Sequence, residues 1–314
     1  MASNKFDFYD KTTLKSYNLD STMRYQLSVL DGLDKFTREH SENVASIVCR
    51  ICEYLRLNKN FTAYCTICAY LHDIGKIFIP KAILNKPSTL TDEEYEIMKT
   101  HTTLGYKMCM DDLQLRPYSN GPLFHHESLD GSGYPTGITK KDIPYEDQII
   151  KVADEYDALV SKRQYTTHIN ISETLKELMK ETEPSDIKEI VALDHVAERS
   201  KYGKMSKKIV RTLFKVVIDD TEYEICGVMD YVKYLKKQLK RLDTMEDYYQ
   251  KMIASKDPKK QSYYKEGIKV MLDRGETIEN FRQIHEEYKE ALKNKQDMIE
   301  KLYNEIKIIK KLQV

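Results

Sequence analysis

Two adjacent histidines open the stretch His125-His126-Glu127-Ser128-Leu129-Asp130-Gly131-Ser132-Gly133-Tyr134-Pro135. The run is poor as helix and poor as strand, so packing alone does not account for it. Taken by itself, a histidine pair can cap a helix C-terminus and a Gly/Pro run can be a surface loop. The rest of the chain changes the balance, because it supplies His40, the cluster Leu71-His72-Asp73-Ile74-Gly75-Lys76, His101 and Asp154. Imidazole nitrogens and carboxylate oxygens without a thiolate suit divalent iron, manganese, nickel or zinc. Seven donors, His40, His72, Asp73, His101, His125, His126 and Asp154, are more than one ion needs. Two ions sharing a bridging carboxylate would use them all. Such a pair activates water as hydroxide near neutral pH, polarises a phosphoryl oxygen and stabilises both the entering and leaving oxygens, which suits hydrolysis of a phosphate ester. Lys76, one helical turn from His72 and Asp73, would neutralise a non-bridging phosphate oxygen as charge develops.

Helices must position these groups. Helical periodicity dominates and nothing between residues 20 and 200 reads as a sheet, so the class is all-α. A first helix is expected from about Thr22 to Phe36 and a second from about Arg38 to Arg56, with His40 near its start. A third begins near Phe61 and ends at the His72-Asp73 cluster, with Gly75 as terminator. Thr91-x-x-Glu94 is a capping box, and the helix it opens delivers His101, with Gly105 one turn beyond. Another helix ends near His125-His126, and Tyr145 to Val160 is helical with Asp154 and Asp157 on one face and Arg163 following. A bundle can aim donors from several helices at one point. His168, His195 and His285 stand in polar surroundings without a partner pattern and read as solvated.

A chain of 314 residues with 41% hydrophobic residues suggests about two domains with at least one proper core. Lys+Arg and Asp+Glu number 50 each, so the overall field draws the chain neither to nucleic acid nor to an acidic membrane surface. No apolar run approaches a membrane span, and Met1 to Asp20 is too polar for a signal peptide. Cys49-x-x-Cys52 and Cys65-x-x-Cys68 have the spacing of a four-thiolate zinc site, but they sit inside apolar-periodic runs with no Gly or Pro nearby. Small buried core residues are the reading, with a zinc or redox role as the alternative. Reduced thiols fit a cytoplasmic protein.

From about His40 to Tyr165 the chain resembles the HD-GYP subgroup of the HD phosphohydrolase superfamily. The resemblance rests on His40, His72-Asp73-Ile74-Gly75-Lys76, Pro80 to Pro87, His101 with Gly105, His125 to Pro135, and Val152-Ala153-Asp154-Glu155-Tyr156-Asp157-Ala158-Leu159. It implies an HD-type helical bundle that hydrolyses cyclic di-GMP to the linear dinucleotide pGpG or to GMP with two divalent ions, iron or manganese being the family's usual metals. By the same resemblance Asp73 bridges the ions, with His40, His72 and Asp154 on one side and His101, His125 and His126 on the other. The loop Asp130 to Pro135, Tyr134 included, would shape the substrate pocket, and Lys76 and Arg163 would touch phosphates or guanine edges. Glycines at 131 and 133 fit a turn that needs unusual backbone angles and close approach. Some relatives bind a third metal through a glutamate one turn before the first histidine; that position is Phe36 here, so two ions are expected. The Arg-Pro-Tyr-basic segment of the family appears as Arg163-Gln164-Tyr165-Thr166, which removes a cation from the ligand surface and leaves room for a different nucleotide. Glu39 reads as a solvated helix-terminal charge.

The expected organisation is a short segment 1–21, a catalytic domain 22–193 and a charged helical region 194–314. In the last, Ile225, Val228, Val232, Leu235, Leu239 and Leu242 form a coiled-coil-like seam. Asp257-Pro258 caps a helix, Gly275 stops one, and Thr277 starts a long one to about Lys311. A helical hairpin is the plain reading; a homodimer surface or a dock for a partner protein is the alternative. The basic run Lys201, Lys204, Lys207, Lys208, Arg211 reads as a solvated face. Cleavage of a cyclic dinucleotide is the leading function. The alternatives are another nucleotide as substrate, or a catalytically weak scaffold signalling through its C-terminal helices.

Overall fold

The computed structural model describes residues 32–164, 171–184 and 202–313, with backbone alone at 161–164. All regular structure among these residues is helical. They divide into two compact units, the first reaching Val217 and including the last residues of the chain, the second spanning Ile218 to Lys311. The division lies beyond the boundary expected at residues 193 and 194, which falls outside the described residues.

In the first unit α1 (Lys35–Tyr54) is opened by Asp34, whose Oδ1 accepts from the N–H groups of Phe36 and Thr37 at 3.0 and 3.1 Å. A break between Phe36 and Arg38, expected from the sequence, does not occur: both lie inside α1, and Thr22 to Asp31 lie outside the described residues. Val44, Val48 and Ile51 line its buried face, and His40 sits one turn before Val44. Asn58 caps α2 (Lys59–Leu71), accepting from Phe61 N–H at 2.8 Å. Cys49, Cys52, Cys65 and Cys68 are all buried as free thiols, serving as small core residues. After α2 come a 3-10 segment (Ile74–Phe78) and the short α3 (Lys81–Leu84).

The Thr91/Glu94 capping box forms as expected and opens α4 (Asp92–Lys99). The chain then breaks at Thr100, so that His101 begins a separate helix, α5 (His101–Asp111). The short α6 (Asn120–Phe124) ends directly before His125. Then follow α7 (Tyr145–Gln164) and α8 (Ile171–Lys180). Two backbone crossings without a side chain between them bring these pieces together. A Cβ on Gly75 would lie 1.9 Å from the His101 carbonyl oxygen, and one on Gly121 would lie 2.6 Å from that of Cys68. Gly75 is therefore required for close approach between the 3-10 segment and α5, rather than as the helix terminator its position suggests.

The long α9 (Lys207–Ala254) starts in the first unit, where Ile209, Val210, Leu213 and Phe214 are fully buried, and continues into the second. There it meets α10 (Pro258–Met271), with Asp257 and Pro258 at its start as expected, and α11 (Phe281–Leu312). Leu242, Met245, Ile268 and Phe281 form the core of this unit. Beside it Arg241 makes a two-pronged pair with Glu276, both bonds at 2.6 Å. Thr277 is a cap rather than the first residue of α11: its hydroxyl accepts from the N–H groups of Glu279 and Asn280, and helix begins at Phe281. His285, expected to be solvated, is buried and bonded through Nε2 to Asp243 at 2.8 Å, because its α11 face packs on α9. His168 and His195 lie outside the described residues. No helix among the described residues is long and apolar enough to cross a membrane.

One acidic side chain near the start of α7 stands apart. Both carboxylate oxygens of Asp147 are buried without a hydrogen-bond partner. Burial, reinforced by the charge of Glu146, pushes its pKa well above the usual carboxylate range. The folded chain keeps a proton there that the unfolded chain releases above about pH 4, so stability falls as pH rises from that point. Asp147→Asn is expected to melt at a higher temperature than the wild type at pH 7, with the gap closing as pH is lowered toward 4. Thermal melts across that range check this, and a gap independent of pH would contradict it.

Candidate metal centre

His40 from α1, His72 and Asp73 from the end of α2, His101 from the first turn of α5, His125 and His126 after α6, and Asp154 from α7 meet in one place. All except His40 and His126 are buried outright, and those two are half-buried. His40 Nε2 lies 3.0 Å from Asp154 Oδ1 and 3.7 Å from Asp73 Oδ2; His72 Nε2 lies 3.3 Å from Asp73 Oδ2 and 3.8 Å from Asp154 Oδ1. On the other side Asp73 Oδ1 faces His101 Nε2 at 3.5 Å and His125 Nε2 at 4.0 Å. His126 Nδ1 is 4.0 Å from Asp154 Oδ2. Donor atoms within 4.8 Å of one another form two groups, His40 with His72 and Asp73, and His101 with His125 and His126. Asp73 thus turns one oxygen to each group. Among the described residues no cysteine joins such a cluster.

The orientation of the rings decides what can occupy the space between them. His72 Nδ1 donates to Ala69 O at 2.6 Å, His101 Nδ1 to Met98 O at 2.7 Å, and His125 Nδ1 to Gly121 O at 2.9 Å. A carbonyl only accepts, so the proton sits on Nδ1 and, in the neutral ring, the Nε2 lone pair faces the cluster. His101 Nε2 and His125 Nε2 then oppose each other at 3.2 Å. His72 Nε2 and Asp73 Oδ1 are buried with no hydrogen-bond partner. Lone pairs converging on one largely buried space fit divalent cations. Burial holds His101 below its ordinary pKa, His125 well below it, and His126 down at about 3, so these imidazoles are neutral and able to ligate. Burial opposes ionisation of Asp73 as well, but the charge of the Lys76 ammonium beside it prevails and holds the carboxyl well below its usual range. Lys76 Nζ sits 2.5 Å from Asp73 Oδ2, which keeps the ammonium charged despite burial.

The sequence model of the HD domain matches residues 27–186, half of the chain. The chain belongs to the HD domain family. Over 165 residues this HD domain protein is 39% identical to a cyclic di-GMP phosphodiesterase of Thermotoga maritima, covering 48% of this chain and 43% of that one. It is 41% identical over 138 residues to the cyclic di-GMP phosphodiesterase response regulator RpfG of Xanthomonas campestris, covering 43% and 35%. With the 3'3'-cGAMP-specific phosphodiesterase 1 of Vibrio cholerae it shares 32% over 151 residues, covering 47% and 34%. The chain spans less than half the length of these relatives. Its His125 to Pro135 stretch, on which the resemblance to the HD-GYP subgroup rests, lies within the matched residues.

Three side chains of the HD domain do work that their spacing did not reveal. Asp157 Oδ2 accepts from His40 Nδ1 at 2.7 Å, aiming Nε2 inward. Lys151, buried one turn before Asp154 and Glu155, pairs with Glu155 at 2.9 Å. Glu127, also buried, gathers three donors on Oε1: Thr136 N–H and hydroxyl at 2.7 Å each, and Gly137 N–H at 3.1 Å. That acid closes the loop 127–137 on itself. Gly131 adopts φ 77°, and a Cβ on Gly133 would lie 2.4 Å from Ser128 N, so both glycines are demanded by the turn. The Tyr134 ring stacks on His126 with centroids 4.6 Å apart. Phe36 is exposed, as is Glu39, which pairs with Lys35 at 3.6 Å. The Arg163 side chain, and all of Tyr165 and Thr166, lie outside the described residues.

Asp73→Ala is expected to strip bound transition metal from the purified protein, read by elemental analysis, while helical circular dichroism persists. Gly75→Ala removes no donor, yet its Cβ would collide with the His101 carbonyl. It should lower metal content too and cost about 1–3 kcal/mol of stability in urea titration. Wild-type metal content in Gly75→Ala would show that this crossing does not set the donor geometry.

Proposed function

We propose that this HD domain is a phosphodiesterase that hydrolyses a cyclic dinucleotide, cyclic di-GMP first, to pGpG, GMP or both. The observation that carries the reading is Asp73 turning one buried oxygen toward each of two histidine groups, the arrangement a pair of ions requires. His40, His72 and Asp154 would hold one ion and His101, His125 and His126 the other, with Asp73 shared. Donors of this kind favour iron or manganese, with nickel and zinc also accommodated. When bound, the ions supply an activated water and spread the charge of the phosphoryl group in the transition state.

The chain's own residues do the rest. Lys76, anchored on Asp73, places its ammonium where a non-bridging phosphate oxygen gains charge. Tyr134 offers a ring beside His126 against which a base can stack. Arg163, near the end of α7, is the cation assigned to phosphate or guanine contact. The names of relatives from Thermotoga and Xanthomonas support cyclic di-GMP, and that of the Vibrio relative supports a second reading in which 3'3'-cGAMP is preferred. The loss of a basic residue at Thr166 favours that second reading. Either substrate puts the protein in the cytoplasm, with the second unit, 218–311, free to serve a homodimer or a partner protein.

The test is an anaerobic assay of metal-loaded protein with cyclic di-GMP and 3'3'-cGAMP, products resolved by chromatography. Turnover of at least one is expected, and none with His72→Ala. Lys76→Ala should keep its metal and lose about 10²-fold or more in kcat. Metal-loaded protein that cleaves neither nucleotide would overturn the proposal and favour a binding scaffold.

A further inference from the structure

Beyond residue 186, where the family match ends, Tyr202 to Met205 lies across the loop that follows the histidine pair. Lys204 O accepts from Leu129 N–H at 2.9 Å, and Leu129 O in turn accepts from Lys140 N–H at 3.1 Å, so the backbone of one buried loop residue is held from both sides. The Lys140 ammonium sits 4.4 Å from the centre of the Tyr202 ring, tying the second holder back to the first. The segment is itself pinned to the end of α8: Lys204 N–H and Met205 N–H both donate to Glu181 O, at 2.7 and 3.3 Å, and Lys204 Nζ pairs with the Glu181 carboxylate at 2.7 Å. A Cβ on Gly203 would stand 2.3 Å from the carbonyl carbon of Thr182, so glycine alone lets the segment lie this close.

We propose that Tyr202–Met205 is a positioning strap for the substrate loop, contributed from outside the stretch that carries the metal donors. Leu129 lies three residues after His126 and five before Tyr134, and those two rings are stacked. A shift at Leu129 therefore reaches the surface on which a nucleotide base would rest, while the donors on α1, α2, α5 and α7 stay in place. The strap leads into α9 through Ser206, whose carbonyl accepts the N–H groups of Ile209 and Val210, so it is anchored at its far end as well. A residue that only filled space would affect stability; a positioning strap affects how tightly a dinucleotide is held.

The kinetic side of this inference rests on the function proposed above, and the structural side does not. The experiment uses the full, metal-loaded chain with Tyr202→Ala, Gly203→Ala and the conservative Tyr202→Phe. Amide exchange at residues 129–134 should speed up by about tenfold or more in the two disruptive variants, with metal content unchanged. KM for the cyclic dinucleotide should rise several-fold, cleavage of the small diester bis(4-nitrophenyl) phosphate should hold at its wild-type rate, and Tyr202→Phe should restore both exchange and KM. If Gly203→Ala does not fold, Tyr202→Ala decides. A folded Tyr202→Ala with wild-type loop exchange and KM overturns the strap. Should the wild type cleave no cyclic dinucleotide, the function fails while the exchange measurement still decides the strap.

Discussion

Asp73 is the constraint around which the first unit is arranged. Its carboxylate is buried among imidazoles whose protons have been turned outward, so that acceptor faces acceptor across the cluster. Left empty, such a site is electrostatically unfavourable, and the nearby Lys76 offsets only one of its oxygens. Divalent cations resolve the conflict, and the surrounding helices can then hold donors that a bare protein interior would not tolerate. The distribution of protons agrees with this: three of the histidines are driven toward the neutral form while Asp73 and Asp154 are held ionised. His40 is the exception. Burial acts against its proton, but hydrogen bonds to Asp154 and Asp157 prevail and hold its pKa up at about 10.

The donors can gather only because backbones touch. Gly75 against His101 and Gly121 against Cys68 bring four helical pieces, the 3-10 segment with α5 and α6 with α2, closer than any side chain allows, and the small Cys52 and Cys65, whose thiols meet between α1 and α2, fill little space. The spacing of Cys49, Cys52, Cys65 and Cys68 imitates a zinc site, yet all four are buried as free thiols and none joins a metal-ligating cluster among the described residues.

The helical class, the Thr91 cap, the Asp257 cap and the burial of the cysteines were legible in the sequence because each depends on short-range pattern or local hydrogen bonding. That His40, His72, Asp73, His101, His125, His126 and Asp154 would gather was legible for a different reason: imidazoles and carboxylates at those positions form the ordered set that carries the family resemblance. What escaped depends on tertiary contact. Asp154 and Asp157 share a face of α7, and spacing cannot tell which one faces the cluster and which one steers His40. Glu127 looks like one more polar loop residue until Thr136 and Gly137 fold back on it. His285 looks solvated because Glu286 and Glu287 follow it in sequence, whereas the fold buries it against α9 and pairs it with Asp243. The break at Thr100 between α4 and α5 carries no proline or glycine to announce it.

The carbonyls that receive the three Nδ1 protons all belong to the residue three or four places before each histidine: Ala69 for His72, Met98 for His101, Gly121 for His125. Each imidazole is therefore aimed by its own stretch of chain and not by a distant neighbour. A donor prepared in this way is a self-contained module. Insertions or deletions in the connectors between such modules leave the aim of every ring intact, so connector length can drift widely while the chemistry at the centre is preserved.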